Sequence, residues 1–415
     1  NGVKCYGPDG CQMTDEPAAV VTAKISEIPF FVPEQKTFDV FMSEGLISYI
    51  GQDLWESYYQ TVLAEAVDPD MIRSAGLDIV YTPLCGTGNE PVREILGRLG
   101  VNITVVGCQE KPDGDFKTCE YPNPETDAAL AESYKVADAV PCDVILGTDP
   151  DCDRVAIAVP CEYGYQKLSG NELGCLLLDY ILKARTQKND IPEGAIAVRS
   201  IVSSPLADQI AKYYGIEMKA VLTGFKYIGG EILSLEQQHQ EHRYIFGFEE
   251  SCGYLKGTYA RDKDAVVASM LVCEMAAALK VQGKTILDAL KELYDRFGIY
   301  MARVKSVELT GSDAMEKAAA MMSGLRSSAP ENIAGIKVTA VRDYLARTST
   351  DIDTGSVTPI ELPKSNVLEF ILGESGSVIA RPSGTEPKVK FYFTAVADTA
   401  AEADHILDLM VKQFS

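Results

Sequence analysis

Between Leu146 and Val155 the chain reads Gly147-Thr148-Asp149-Pro150-Asp151-Cys152-Asp153-Arg154, three carboxylates at alternate positions closed by an arginine. The flanks Val144-Ile145-Leu146 and Val155-Ala156-Ile157-Ala158-Val159 predict strands, which leaves the acidic residues on the turn between them. Hard cations such as Mg²⁺ take oxygen ligands, and a short loop with Asp at every second place aims several carboxylates at one point. Metal binding is the chemistry such a turn offers; a merely solvated acidic turn is the competing reading. A calcium EF-hand is excluded by spacing, because its sixth position would be Arg154 where Gly is needed and its twelfth Pro160 where Glu is needed.

A second cluster, Arg381-Pro382-Ser383-Gly384-Thr385-Glu386-Pro387-Lys388, joins Val378-Ile379-Ala380 to Lys388-Val389-Lys390-Phe391-Tyr392. The planar fork of Arg381 matches phosphate oxygens, Ser383 and Thr385 add hydroxyl donors, and Gly384 lets backbone N–H groups approach an anion. Lys390, on the same strand face as Lys388, completes a phosphate cradle; a plain Pro-Ser-Gly turn with basic flanks is the alternative. Walker-loop spacing and its following helix are absent. Glu249 and Ser251 follow the apolar run Tyr244-Ile245-Phe246-Gly247-Phe248 and suit adjacent sugar hydroxyls, the alternative being that Ser251 or Glu250 simply caps a helix. Lys263, between Asp262 and Asp264 at the start of an apolar helix, reads on these residues alone as a surface ion pair. With only His239, His242 and His405 in the chain, a zinc site or a Ser-His-Asp triad has little material.

The elements that must position these residues follow from periodicity. Residues 38–66 carry apolar side chains at helical spacing up to Asp68-Pro69-Asp70. A strand at residues 77–81, the loop Thr82-Pro83-Leu84-Cys85-Gly86-Thr87-Gly88, a helix at 91–99 and a strand at 102–106 make a strand-helix-strand unit with a parallel pair. Gly86-x-Gly88 is no dinucleotide fingerprint, since Pro91 stands at its third glycine position. A similar unit follows: a helix at 173–182, a strand at 195–198, a helix at 205–214, the loop Leu222-Thr223-Gly224-Phe225-Lys226, a strand at 244–248 and a long helix ending at Val281. Beyond Ile299 the texture becomes α+β, with alternation over 304–309, a helix at 313–325, a strand at 336–341 and three further strand-like runs.

Composition narrows the function classes. The 415 residues suggest roughly three domains, and 46% hydrophobic with 24% charged residues is ordinary globular composition. A net charge of −22 without a basic run argues against nucleic acid as a partner. No apolar stretch is long enough for a membrane span; the best candidate, residues 265–281, contains Glu274. Eleven cysteines without C-x-x-C pairs, several in apolar runs such as those of Cys175 and Cys273, fit reduced thiols and a cytoplasmic location. The first residue is Asn1 rather than Met, which suggests a processed or truncated chain.

At Thr148-Asp149-Pro150-Asp151-Cys152-Asp153-Arg154, Thr223-Gly224-Phe225-Lys226, Gly247-Phe248-Glu249-Glu250-Ser251-Cys252-Gly253, Arg261-Asp262-Lys263-Asp264 and Arg381-Pro382-Ser383-Gly384-Thr385, the sequence resembles the α-D-phosphohexomutase family of phosphoglucomutases and phosphomannomutases. The motifs stand in the family's order and cover nearly the whole chain. The resemblance implies four domains around a central cleft, three α/β with related mixed sheets and a fourth like the TATA-binding protein. For this chain it implies an α/β fold with a tail of the first domain at 1–38, a metal-loop α/β domain at 39–165, a sugar-binding α/β domain at 166–300 and a phosphate-binding α+β domain at 301–415.

It further implies Mg²⁺ on Asp149, Asp151 and Asp153, with Arg154 beside the transferring phosphoryl group and Lys263 as general acid or base. Thr223, Gly224, Glu249 and Ser251 would face the sugar, while Arg381, Ser383, Gly384, Thr385 and Lys390 would hold the phosphate that is not reacting. The activity implied is Mg²⁺-dependent isomerisation between the 1- and 6-phosphates of a hexose through a bisphosphate, with glucose 1,6-bisphosphate as activator and a small sugar phosphate as the partner. The family's nucleophile is a phosphoserine in a Thr-Ala-Ser-His-Asn type loop, shortly before a Tyr-Asn-Gly-x-Lys stretch. This chain begins Asn1-Gly2-Val3-Lys4 and has no Ser-His pair, so most of the first domain is expected to be missing and the polypeptide inactive as a mutase. A phosphopentomutase of the same family, a Mg²⁺-dependent sugar phosphatase using Asp149 as nucleophile, and a non-catalytic sugar-phosphate binding protein are the alternatives.

Overall fold

The computed structural model describes residues 4–29, 36–311, 313–383 and 386–414. The chain forms two compact units, one of residues 1–167, 225–247 and 253–281, the other of residues 168–224, 248–252 and 282–415.

The first unit is built on a mixed five-stranded sheet of β1 (Asp78–Thr82), β2 (Asn102–Val105), β3 (Val144–Thr148), β4 (Val155–Cys161) and β5 (Gly164–Lys167), in the order β2-β1-β3-β4-β5. The strands β2, β1 and β3 run parallel, whereas β3–β4 and β4–β5 are antiparallel. Every residue of β3 is buried, as expected of a central strand covered on both faces. The loops leaving β1 and β3 therefore emerge side by side at the carboxyl edge of the sheet, where α/β proteins place their ligands. One is residues 83–88 and the other is the aspartate turn. The apolar helix Ala265–Val281 is core rather than a span: its first thirteen positions, including Glu274, are buried, and no single helix among the described residues is long and apolar enough to cross a membrane. Its buried Glu274 carboxylate accepts the backbone N–H groups of Val67 and Asp68.

The helical pattern at 38–66 proves to be two helices, Phe38–Ser43 and Gln52–Ala64. Gly45, at φ +71, ends the first, because an αL glycine stops helix propagation without a Cβ clash. The chain does not stop being helical at Asp68-Pro69-Asp70 either; Pro69 occupies the first turn of a new helix, Pro69–Ala75, where its missing N–H costs nothing.

In the second unit β6 (Ile196–Ser200) and β7 (Glu217–Val221) pair in parallel. The helix Gly170–Gln187 starts on a capping box, Ser169 with Glu172, and the helix Ile286–Phe297 on another, Thr285 with Asp288. Between the two units the chain passes along β8 (Tyr244–Glu249) and returns at β9 (Gly253–Leu255). The C-terminal module comprises β10 (Ile299–Glu308), β11 (Asn332–Ile333), β12 (Ile336–Lys337), β13 (Ala340–Asp343), β14 (Thr348–Asp351), β15 (Val357–Pro359), β16 (Leu368–Ile371), β17 (Gly376–Pro382) and β18 (Lys388–Ala397). Seven of these form one antiparallel sheet in the order β10-β18-β17-β16-β13-β14-β15.

The helices Ala314–Ser327 and Ala400–Gln413 pack Met322, Leu407 and Met410 on the sheet face that carries Phe370, Ala380, Phe391 and Phe393. Alternation then turns Arg381, Lys390 and Tyr392 to the opposite face. The single strand expected at 336–341 is broken, because β12 pairs with β11 while β13 pairs with β14 and β16. All eleven cysteines are free, Cys175 and Cys273 among the buried ones.

Candidate active site

In the first unit the turn between β3 and β4 brings Asp149, Asp151 and Asp153 together, with one carboxylate oxygen of each within 4.8 Å of the others. The turn is tight. Cys152 sits in the left-handed region at φ +56, its N–H donates to Asp149 O at 2.9 Å, and Asp149 Oδ1 accepts the N–H groups of Asp153 at 3.0 Å and Arg154 at 2.9 Å. Arg154 Nε donates to Asp149 Oδ2 at 3.0 Å. Asp149 is buried and Asp151 exposed, so the trio opens to solvent on one side.

Positive charge gathers around it. Lys263 Nζ donates to Asp153 Oδ2 at 2.7 Å, and Lys4 donates to the same oxygen while lying 3.2 Å from Asp151 Oδ2. Burial, with the Asp153 charge beside it, pushes the Asp149 carboxyl above its usual range. Burial acts the same way on Asp153, but the Lys263 and Lys4 ammonium groups outweigh it and hold that carboxyl low. Burial opposes the Lys4 charge, yet Asp153, Asp262 and Asp151 keep its pKa above the ordinary lysine value. Three carboxylate oxygen donors on a preformed turn, open to solvent on one side, fit a hard divalent cation.

A cavity of about 760 Å³ opens beside the turn, lined by Lys4, Trp55, Tyr58, Thr87, Tyr259 and Lys263 among others. Tyr58 and Tyr259 donate to Asp264 Oδ2 at 2.8 and 2.6 Å, and Tyr6 to Asp262 Oδ2 at 2.7 Å. These bonds fix the carboxylates on either side of Lys263.

In the second unit Glu249 is the buried last residue of β8, and its Oε1 accepts the Gly224 N–H at 2.7 Å, which joins two of the segments expected to face a sugar. Thr223 Oγ1 beside them is buried with no hydrogen-bond partner among the described residues. Ser251 lies half-buried in the following turn, where Cys252 takes φ +62. That turn rests on the helix after Ser169: a Cβ at Gly170 would lie 2.1 Å from Glu250 O, so only glycine permits the approach. On the C-terminal sheet Arg381 pairs in register with Lys390, and Tyr392 lies in the field of Arg381, Glu250 and Glu249. Burial and Glu250 push the Tyr392 hydroxyl up to about 12, while a hydrogen bond from Arg381 works the other way. Ser383 N–H donates to Lys388 O at 2.8 Å, closing the hairpin. Gly384 and Thr385 lie outside the described residues.

Three family patterns match in succession: "Phosphoglucomutase/phosphomannomutase, alpha/beta/alpha domain II" over residues 56–164, "alpha/beta/alpha domain III" over 169–297 and "C-terminal domain" over 326–413. A phosphoglucomutase of Staphylococcus aureus is 36% identical over 400 residues, which is 94% of this chain and 69% of that protein. This chain belongs to the phosphoglucomutase/phosphomannomutase family. Solved mutase structures share its fold. Parafusin, a phosphoglucomutase of Paramecium in an open form, superposes with a TM-score of 0.61 at 16% identity over 86% of this chain, which spans 60% of that structure's chain. An N-acetylphosphoglucosamine mutase of Aspergillus fumigatus in complex with GlcNAc-6P and magnesium has a TM-score of 0.50 at 16% identity, covering 86% of this chain and 69% of its own.

Two expectations for this mutase-family chain need correction. Phe225 and Lys226 are not loop residues but open the helix Phe225–Gln237, so only Thr223 and Gly224 of that motif remain in the loop. Glu249 is not beyond its strand but ends it. Sequence reasoning also missed Lys4 and Tyr392. Lys4 had a signal, since it follows Asn1-Gly2-Val3 as the lysine of a Tyr-Asn-Gly-x-Lys stretch would. Tyr392 had one in its alternation with Lys390 on the strand face that carries Arg381.

Proposed function

We propose that these residues form the cation, sugar and phosphate sites of a phosphohexomutase, which moves a phosphoryl group between the 1- and 6-oxygens of a hexose phosphate through a bisphosphate. The observation that carries this reading is the meeting of Asp149, Asp151 and Asp153 with Arg154, Lys263 and Lys4 on one turn. Phosphoryl transfer needs positioning and charge neutralisation more than covalent chemistry from the protein, and this turn supplies both. Mg²⁺ held by the three aspartates would polarise the transferring group, and magnesium in the related N-acetylphosphoglucosamine mutase supports that choice of ion.

Arg154 is anchored by Asp149 through Nε, its Nη1 lies 3.7 Å from Glu125 Oε1, and its guanidinium would meet phosphoryl oxygens beside the turn. Lys263 and Lys4 hold protons at Nζ beside the same turn, where an attacking or leaving hydroxyl would exchange them. Glu249 and the unpartnered Thr223 hydroxyl receive sugar hydroxyls, and Ser251 adds a further donor. Arg381, Ser383, Gly384, Thr385 and Lys390 hold the phosphate that does not react. The division at 1–38, 39–165, 166–300 and 301–415, with a C-terminal domain like the TATA-binding protein, remains our assignment. So do a cytoplasmic site of action and glucose 1,6-bisphosphate as activator.

The 415 residues contain no serine followed by histidine to carry the phosphoryl group, so a protein of these residues alone is expected to bind sugar phosphates without isomerising them. Incubation with glucose 1-phosphate, catalytic glucose 1,6-bisphosphate and Mg²⁺, with titrations of glucose, mannose and ribose 1-phosphates, tests this. Binding without turnover supports the reading. Steady release of inorganic phosphate, or no binding of any of the three, overturns it.

A further inference from the structure

The loop that leaves β1 touches the aspartate turn at Pro150, between its first two carboxylates. Thr87 donates both its backbone N–H, at 2.9 Å, and its hydroxyl, at 3.2 Å, to the carbonyl oxygen of Pro150, the residue between Asp149 and Asp151. Gly86 passes so close that a Cβ there would stand 2.4 Å from Pro150 Cα and 2.7 Å from Pro150 O. A Cβ at Gly88 would meet Cys152 Sγ at 2.7 Å and Thr148 Oγ1 at 2.8 Å.

The loop holds this course at a cost. Leu84 and Cys85 are consecutive non-glycine residues at φ +46 and +59, a conformation that persists only where surroundings enforce it. The enforcement is visible: Thr82 Oγ1 accepts the Leu84 N–H at 3.2 Å and donates to the buried Gln109 Oε1 at 2.6 Å, and the Cys85 N–H donates to Gln109 O at 2.8 Å. On its other side the turn is tied by the Ala265 N–H, which donates to Cys152 O at 3.1 Å.

We infer that Thr87 and Gly86 are positioning residues for the cation site, setting the spacing of Asp149 and Asp151 by fixing the Pro150 peptide plane. The inference rests on the cation reading above and extends it to residues outside the acidic turn. The Thr87 side chain is exposed, so its loss removes a contact to the turn and almost nothing from the core.

The test is Mn²⁺ binding followed by electron paramagnetic resonance, with Mg²⁺ competition, well below the melting temperature. Thr87→Val is expected to weaken Mn²⁺ about fivefold with the melting temperature nearly unchanged, Thr87→Ser to keep wild-type affinity, and Gly86→Ala to weaken it about tenfold or more. Wild-type affinity in Thr87→Val, with Mn²⁺ bound by the wild type, overturns the positioning role alone. Absence of Mn²⁺ binding by the wild type overturns both this role and the cation reading beneath it.

Discussion

Lys263 Nζ donates to Asp153 Oδ2 across 2.7 Å, and the two residues are 110 positions apart in the chain. The helix that follows Lys263 and the hairpin that carries Asp153 thus deliver opposite charges to one point, where an ammonium and the proposed divalent cation would compete for the same carboxylate.

That competition has a sign. Replacing Lys263 by Met removes a positive charge next to the aspartates and leaves Lys4 as the remaining ammonium on Asp153 Oδ2. Mn²⁺ affinity is expected to rise about tenfold, the size of one charge interaction at an intermediate effective dielectric. Weaker binding in Lys263→Met would mean that the lysine organises the turn instead of competing for it. Titration by electron paramagnetic resonance distinguishes the two.

Arg381 and Glu249 are expected to separate phosphate recognition from sugar recognition. Arg381→Ala should weaken inorganic phosphate and glucose 6-phosphate alike, by about tenfold, through loss of charge-assisted hydrogen bonds. Glu249→Ala should weaken glucose 6-phosphate by a similar factor and leave inorganic phosphate within about twofold. Calorimetric titration of both ligands on both variants checks the pattern, and an equal loss of inorganic phosphate in Glu249→Ala would contradict it.

Gly170→Ala places a Cβ 2.1 Å from Glu250 O and 2.7 Å from Cys252 N. The turn carrying Ser251 must then shift, at a cost of about 1–3 kcal/mol. The expected result is a lower melting temperature and weaker glucose 6-phosphate binding with Mn²⁺ affinity unchanged. Equal losses at both sites would show a general unfolding effect.

Burial pushes the Asp264 carboxyl above its ordinary value, and hydrogen bonds from Tyr259 and Tyr58 offset this only in part. The native state therefore keeps this proton to higher pH than the unfolded chain. The group's contribution to stability is fully present below the unfolded pKa of about 3.9 and is lost as pH rises from there through the raised native value. Melting temperatures of wild type and Asp264→Asn should differ in the wild type's favour most near pH 4, by less near pH 7. A difference that widens with pH would reverse the assignment.

The parts of this site legible in the sequence are those whose geometry is local. Asp149, Asp151 and Asp153 announce themselves because alternate positions on a short turn between strands point at one place whatever the rest of the chain does. Arg381 and Lys390 are legible for the same reason, as cross-strand partners of one hairpin. Strands at 144–146 and 155–159 followed from apolar runs flanking the acidic turn, and the structure extends them to Val144–Thr148 and Val155–Cys161.

What the sequence concealed depends on tertiary approach. Lys4 reaches Asp153 across 149 positions, an approach that the motif around it does not specify. Thr87 looks like any loop threonine until the parallel pairing of β1 with β3 sets its loop beside Pro150. Residues 38–66 read as one helix because apolar spacing survives a break that a single left-handed glycine imposes.

The most direct test is the stoichiometry of Mn²⁺ on the wild type and on Asp151→Asn, whose exposed side chain makes no demand on the core. One Mn²⁺ per chain, displaced by Mg²⁺ and lost or greatly weakened in the variant, is the result predicted. Unchanged binding in Asp151→Asn, or none in the wild type, would contradict a cation site at the aspartate turn.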